Sequence, residues 1–139
     1  MNNQEAYELI FDWLARPGAT KCMKERVIGV GQVCAYSDGK GNHCAIGGPM
    51  KNILDLKIVD YADEEGEMII GDYEGSIVEL MGWAPEVDAF WDGVDIDFLE
   101  SAQTCHDAPL QDEDWQNEAL TSLNAQASSF DLKLKKIPA

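Results

Sequence analysis

The chain has 139 residues, enough for one domain with a core of ordinary size, so we expect residues 1–139 to form a single domain. Its 26 Asp and Glu and 10 Lys and Arg give a net charge of −16, yet a hydrophobic content of 45% is too high for an intrinsically disordered chain. No apolar run approaches the roughly 20 residues that cross a bilayer, and the first residues lack the basic start of a signal peptide. These features predict a cytoplasmic protein and argue against membrane insertion.

The first predicted element is an N-terminal helix. Asn2 followed by Glu5 has the spacing of a capping box, in which each side chain binds the backbone N–H of the other residue. An apolar stripe at helical spacing follows, formed by Ala6, Leu9, Ile10, Trp13 and Leu14. Pro17 and Gly18 end this helix, and residues 21–26 are compatible with a short second one.

A β-hairpin is predicted next. Two β-prone runs, residues 30–36 and 43–46, flank the turn-forming residues 37–42. A helix is compatible with residues 50–56, and the alternating tail at residues 132–135 is compatible with a third strand on the hairpin. Together these patterns predict an α+β fold, in which a small antiparallel sheet is packed by three to five helices.

The second half of the chain is predicted to contain helices separated by short breaks. A short helix at residues 76–81 is closed by Gly82, and an irregular stretch covers residues 84–93. Two apolar stripes predict the remaining helices, one before Pro109 and one after Asp112, which is placed to cap the second. The stripes are Ile96, Leu99, Ala102 and Cys105, then Trp115, Ala119, Leu123, Ala127 and Phe130.

One segment resembles known proteins. A D-x-x-G turn at residues 38–41 is followed shortly by the sequence C-A-I-G, which starts at Cys44. Over residues 6–50 the chain resembles small uncharacterised bacterial and phage proteins that carry a C-A-[IVL]-G-A-L segment after such a turn and a Trp-containing helix before it. The chain departs from that pattern at residues 48–50, which read G-P-M. The resemblance implies no activity, and it implies that Cys44 and Gly47 are scaffold residues where a strand leads into a helix.

The four cysteines offer a catalytic alternative. Without a signal peptide they are expected to be reduced, and the apolar neighbours of Cys34 and Cys44 predict that both are buried. A Cys-dependent hydrolase would use Cys44 as nucleophile, His106 as its base and Asp107 to orient the imidazole. Any chain with four Cys and two His contains such a triple by chance, so we expect no enzyme and no cofactor.

The spacing of possible ligands does not favour a metal site. Structural zinc sites use pairs of ligands about two to four residues apart, whereas the His–Cys pairs at residues 43–44 and 105–106 are adjacent and their side chains diverge. Residues 92–100 only partly match a calcium-binding loop, because the glycine precedes the ligands and Ile96 belongs to an apolar stripe. We therefore expect no metal.

Charge is distributed unevenly along the chain. The 75 residues from Ile58 to Leu132 contain 20 Asp and Glu and no Lys or Arg, while the remaining residues carry a net charge of +4. A solvated surface usually mixes both signs, because like charges close together destabilise the compact state. Double-stranded DNA carries one negative charge per roughly 1.7 Å of its axis, so 20 carboxylates on one surface would approximate about one turn of DNA.

The acidic run favours an inhibitor that occupies the basic nucleic-acid groove of a partner protein and does not bind nucleic acid itself. By charge and size the chain resembles phage-encoded DNA mimics that inhibit host defence, a class that acts in the host cytoplasm. The expected contact residues are acids of this run, namely Asp60, Asp63, Glu64, Glu65, Glu67, Asp72, Glu74, Asp88, Asp92, Asp112, Glu113 and Asp114.

A different binding hypothesis relies on aromatic residues. An adaptor or inhibitor would contact its partner through Trp83, Phe90 and Trp91, since buried aromatic anchors often dominate the binding energy of protein interfaces. On this hypothesis the acids serve only solubility.

Overall fold

Helices make up most of the protein's regular structure. The computed structural model describes residues 1–25, 32–34, 36–38, 41–58, 68–109 and 113–138. Within these ranges the helices are α1 Asn3–Leu14, α2 Ile77–Trp83, α3 Pro85–Phe90, α4 Ile96–Asp107 and α5 Trp115–Ser129, with a short 3-10 helix at Ile70–Asp72. Two strands, β1 Met23–Glu25 and β2 Gln32–Cys34, form an antiparallel pair. No helix in the described part is long and apolar enough to cross a membrane.

The predicted α+β fold is wrong. In the described ranges, β-structure is limited to β1 and β2, of three residues each, and to two isolated bridges. β2 pairs with residues 23–25, where the sequence is also compatible with a helix, and residues 43–46 contribute only one bridge, to Ser37. The reason is burial, because residues 44–46 are all buried, whereas a strand of a small hairpin alternates between a buried and an exposed face.

Residues 45–55 form consecutive turns, so the helix compatible with this stretch does not form. A Cβ on Gly47 would lie 2.2 Å from the backbone oxygen of Tyr36, and one on Gly48 would lie 2.2 Å from the Trp13 ring. These close approaches leave room only for glycine at both positions. Gly47 thus has a scaffold role within a turn and not at the start of a helix. The resemblance to small bacterial and phage proteins itself stays a prediction.

Helix α1 begins with the predicted capping box. The Asn2 side-chain oxygen accepts the N–H of Glu5 at 2.8 Å, and the Glu5 carboxylate accepts the N–H of Asn2 at 3.0 Å. The buried face is rotated from the predicted stripe, since Tyr7 is buried and Leu9 is 43% exposed. The rotation follows from the packing of α1 against α5, whose Asn124 accepts a hydrogen bond from the Tyr7 hydroxyl.

The C-terminal helices also differ from prediction at their ends. Ser76 caps α2, which continues beyond its predicted end at Gly82. Helix α3 lies in the stretch predicted to be irregular, and Pro85 occupies its first position, where the N–H that proline lacks is not needed. Helices α4 and α5 pack together, and the Phe98 ring meets the Phe130 ring edge-on at 5.4 Å.

The C-terminal tail is extended, but it is not the predicted third strand. Residues 132–138 form no strand, and they lie along α1 and α5. Their backbone N–H and C=O groups bond to side chains of these two helices instead of to a neighbouring strand.

Candidate functional site

A run of exposed carboxylates lies on α3, on α4 and on the connection between them. Every Asp and Glu from residue 86 to residue 100 is exposed, and this stretch contains no Lys or Arg. We call residues 86–100 the acidic segment. Its six acids are Glu86, Asp88, Asp92, Asp95, Asp97 and Glu100.

Helical spacing places the carboxylates of α4 opposite its buried residues. Phe98 and Leu99 are fully buried, whereas Asp97 and Glu100 are exposed and lie three residues apart on the outer face. The predicted stripe is confirmed except at its first residue, because Ile96 is 45% exposed whereas the other three residues are buried. The buried face holds α4 against the protein and leaves its acids directed outward.

The start of α1 is held against the acidic segment. The Met1 amine donates to the backbone oxygen of Asp92 at 2.8 Å, and the side-chain oxygen of Asn3 accepts the backbone N–H of Asp95 at 2.7 Å. The Asp95 carboxylate also caps α4 by accepting the N–H of Asp97 at 2.9 Å. These bonds fix the backbone of the connection between α3 and α4 and the position of the Asp95 carboxylate.

The predicted contact residues fall into three groups. Four are exposed, namely Asp88, Asp92, Glu113 and Asp114. Two are half-buried, namely Asp72 and Glu74. The other six lie outside the described residues, namely Asp60, Asp63, Glu64, Glu65, Glu67 and Asp112.

Four acids of the acidic segment were not predicted as contact residues. They are Glu86, Asp95, Asp97 and Glu100. A sequence signal for them existed, because they lie in the same stretch without Lys or Arg as the predicted residues. On α4 the predicted apolar stripe begins at Ile96, which is in fact exposed and lies between two of these acids.

The aromatic residues next to these acids contribute mainly to the core. Trp91 is fully buried, and the half-buried Phe90 packs edge-on against it with 4.8 Å between ring centroids. Trp83 is 37% exposed. The prediction that Trp91 contacts a partner is therefore wrong, because its indole fills the interior of the protein. Among the described residues its Nε1 finds no hydrogen-bond acceptor.

His106 on α4 is fully buried, and both of its ring nitrogens have hydrogen-bond partners. Nε2 accepts the backbone N–H of Cys22 at 3.1 Å, and Nδ1 lies 2.6 Å from the Asp107 carboxylate. Because an N–H donates to Nε2, the ring proton sits on Nδ1 and is donated to Asp107. The Trp115 indole donates to the His106 backbone oxygen at 3.0 Å. His106 thus joins α4 to the segment before β1, and its Nε2 is not available to accept a proton from a thiol.

Cys44 is buried and reduced, as predicted, and its burial disfavours the thiolate. Its sulfur accepts the backbone N–H of Gly47 at 3.2 Å, and burial raises the pKa of the thiol far above its ordinary value. A nucleophilic cysteine needs the opposite shift. Cys105 is also a free thiol, and burial raises its pKa to about 11. The prediction for the Cys34 side chain falls outside the described residues.

Possible metal ligands do not come together in the described parts of the chain, which contain no group of three or more His, Cys, Asp or Glu that could hold a metal ion. His43 packs its ring 5.4 Å from the ring of Trp13. In the stretch that partly matches a calcium loop, Asp95 is engaged as the cap of α4. Each of these residues has a structural role where it stands.

Comparison with known proteins identifies no family. No family model matches the chain, and no curated protein or solved structure matches it. Its function is therefore inferred from the acidic segment and the elements that hold it.

Proposed function

We propose that this protein is an acidic inhibitor that occupies a basic, nucleic-acid-binding groove of a partner protein in the cytoplasm, without enzymatic activity and without binding nucleic acid itself. The observation that supports this proposal is the acidic segment, in which six exposed carboxylates lie within a stretch that has no Lys or Arg. A basic groove is the complementary surface, because it carries the opposite charge and focuses its field on an approaching anion. Phage-encoded DNA mimics act on partners of this kind.

The axial offset between two acids of α4 is similar in scale to the axial offset between DNA phosphates. A helix rises about 1.5 Å per residue, so Asp97 and Glu100 are offset by about 4.5 Å along α4. Phosphates of one DNA strand are offset by about 3.4 Å along the helix axis. Long Lys and Arg side chains that line a phosphate-binding groove can therefore reach such carboxylates through small changes of rotamer.

The helices that support the acidic segment favour binding, because they reduce the conformational entropy that is lost when the complex forms. Ordering a flexible side chain or loop on association costs about 0.5 to 1.5 kcal/mol for each immobilised side chain. The backbone of the acidic segment is already fixed by α3, by α4 and by the bonds from Met1 and Asn3. A fixed array of like charges also steers a basic partner during diffusion and raises the association rate.

A second candidate function rests on α2. Val78 and Trp83 are each 37% exposed, and Glu79 lies four residues before Trp83 on the same side of the helix. An adaptor would insert the Trp83 ring into a pocket of its partner and keep Glu79 at the polar rim. We favour the electrostatic function because the six carboxylates form a larger set of exposed groups than these two apolar side chains.

Competition with DNA tests the proposed function. The protein is immobilised, proteins retained from a nuclease-treated bacterial lysate are purified, and the affinity of each is measured with and without a short DNA duplex. We expect the duplex to displace the partner, because both ligands need the same basic groove. A partner that binds the duplex and this protein at the same time would contradict the proposal.

A further inference from the structure

The C-terminal tail is held by side chains that bind its backbone. The Gln4 side chain on α1 accepts the N–H of Lys133 at 2.8 Å through Oε1 and donates to the Lys133 carbonyl at 3.0 Å through Nε2. One amide side chain therefore satisfies both backbone groups of one tail residue. A neighbouring β-strand would bind an extended residue in the same way.

The same arrangement recurs two residues further along the tail. The N–H of Lys135 donates to the Tyr7 hydroxyl at 2.7 Å, and the Lys135 carbonyl accepts from the Asn124 side chain at 3.0 Å. Tyr7 in turn donates to Asn124 at 2.6 Å, which fixes both side chains. Backbone groups at i and i+2 point to the same side of an extended chain, so α1 and α5 present paired hydrogen-bonding groups at the repeat of an extended peptide.

Side-chain contacts add selectivity to this backbone recognition. The Lys135 ammonium lies 2.6 Å from the Asp12 carboxylate and 5.8 Å from the centre of the Phe11 ring. Two residues later, Ile137 is half-buried and lines a shallow cavity of about 240 Å³ together with Leu120 of α5. The site therefore fits a lysine followed two residues later by an apolar side chain.

The hinge that leads into the tail is strained. Helix α5 ends with the N–H of Asp131 donating to Ser128 and the N–H of Leu132 donating to Ala127, both at 3.1 Å, which is the pattern of a Schellman motif. Asp131 has a φ of 57° at the position where this motif prefers glycine. The tail is thus attached through a residue whose positive φ is less favourable for aspartate than for glycine.

We propose that the groove formed by Gln4, Tyr7, Asp12 and Asn124, here called the tail groove, binds an extended, lysine-containing segment of a partner protein, and that the chain's own tail occupies it in the unbound state. The segment is of the kind found in the basic arms of nucleic-acid-binding proteins. Recognition combines backbone hydrogen bonds at alternate residues with charge pairing at Asp12. The tail groove and the acidic segment are separate sites, so each can fail without the other.

A labelled synthetic peptide of residues 131–139 tests the tail groove in the full-length protein by fluorescence anisotropy. In a Lys133→Pro/Lys135→Pro variant the tail loses the two N–H groups that bond Gln4 and Tyr7. The matched control, Lys133→Ala/Lys135→Ala, loses the same two charges but keeps both donors. We expect the Pro variant to bind the peptide at least about tenfold more tightly than wild type, because a linked tail competes at an effective concentration on the order of 1 mM. The Ala control should stay closer to wild type.

Changes to the peptide and to the groove complete the test. A peptide whose backbone is N-methylated at Lys133 and Lys135 should not bind. Adding Gln4→Ala to the Pro variant should abolish peptide binding, whereas adding Asp88→Lys/Glu100→Lys should leave it intact. The proposal is overturned if a Pro variant with an unchanged thermal melt does not bind the peptide, binds the methylated peptide equally well, or forms a tail-exchanged dimer. If the Pro variant unfolds, hydrogen exchange of backbone amides in the wild-type protein provides the test. Excess peptide should displace the tail and accelerate exchange at Lys133 and Lys135. Unchanged exchange rates would overturn the proposal.

Discussion

The region around α1 and the acidic segment use their charges in opposite ways. Around α1 two cations make contacts within the chain. The Arg16 guanidinium donates to Asn42 at 2.7 Å and lies 3.7 Å from the centre of the Trp13 ring, and Lys135 forms an exposed ion pair with Asp12 at 2.6 Å. In the acidic segment the charges have one sign and are exposed. This difference indicates that these two cations contribute to contacts within the protein, whereas the carboxylates of the acidic segment, apart from the capping Asp95, are placed to meet a partner.

The largest expected effect concerns the residue that supports the acidic segment from inside. Trp91→Ala should lower the free energy of unfolding by about 3 to 5 kcal/mol, because it removes a fully buried aromatic side chain and leaves a cavity. Trp83→Ala is the control, and as a partly exposed residue it should change stability by about 0.5 kcal/mol. Urea denaturation measures both, and equal losses would show that Trp91 does not support the segment.

Charge reversal compares the acidic segment with acids elsewhere. Asp88→Lys/Glu100→Lys should slow association with the partner on the order of tenfold, because steering by a charged surface controls the association rate. Asp55→Lys/Glu118→Lys reverses two exposed acids outside the segment and should change the rate by less than about twofold. Stopped-flow measurement of both variants tests the comparison, and equal slowing would mean that only net charge matters.

The hinge of the tail offers a stabilising substitution. Asp131→Gly should raise the free energy of unfolding by about 0.5 to 1 kcal/mol, because glycine adopts the positive φ of this residue without a steric penalty. Asp131→Ala is the control, since it also removes the carboxylate but keeps a Cβ, and it should not stabilise the protein. A gain of the same size in both variants would attribute the effect to charge and not to backbone conformation.

A smaller effect is expected from His43, whose protonation makes the free energy of unfolding depend on pH. Burial is the main cause that lowers the pKa of His43, so below the ordinary value of about 6.5 the unfolded state binds the proton more readily than the folded state. The neutral His43 side chain therefore makes its full contribution to the free energy of unfolding above that pH. This contribution is lost as the pH falls toward the lowered pKa of the folded state. The free energy of unfolding of wild type should decrease relative to His43→Gln between about pH 7 and pH 5. Parallel curves for the two proteins would contradict this assignment.

Local features of the sequence predicted the parts of the fold that local interactions determine. The capping box at Asn2 and Glu5 forms within one turn of helix, so its spacing alone identified the start of α1. The buried face of α5 was also predicted, because Trp115 and Leu123 recur at helical spacing and are buried.

Other features depend on contacts between distant residues and could not be predicted in the same way. Residues 44–46 have strand-forming side chains, yet they are buried together in a turn region where the Trp13 ring packs against Gly48. The tail alternates like a strand, but its hydrogen bonds go to the side chains of Gln4 and Tyr7, which no periodicity indicates. For the candidate site, the sequence located the acidic run, and only the helix orientations identified which acids are exposed.

The dependence of partner affinity on salt is the most direct test of the proposed electrostatic function. Exposed charges separated by more than a Debye length of about 10 Å at 0.1 M salt, or about 3 Å at 1 M, are largely screened. If the acidic segment binds a basic groove, affinity should fall steeply between roughly 50 and 500 mM salt, and Asp88→Lys/Glu100→Lys should reduce the slope. An affinity that stays constant over this range, with an unchanged slope in the variant, would contradict the account.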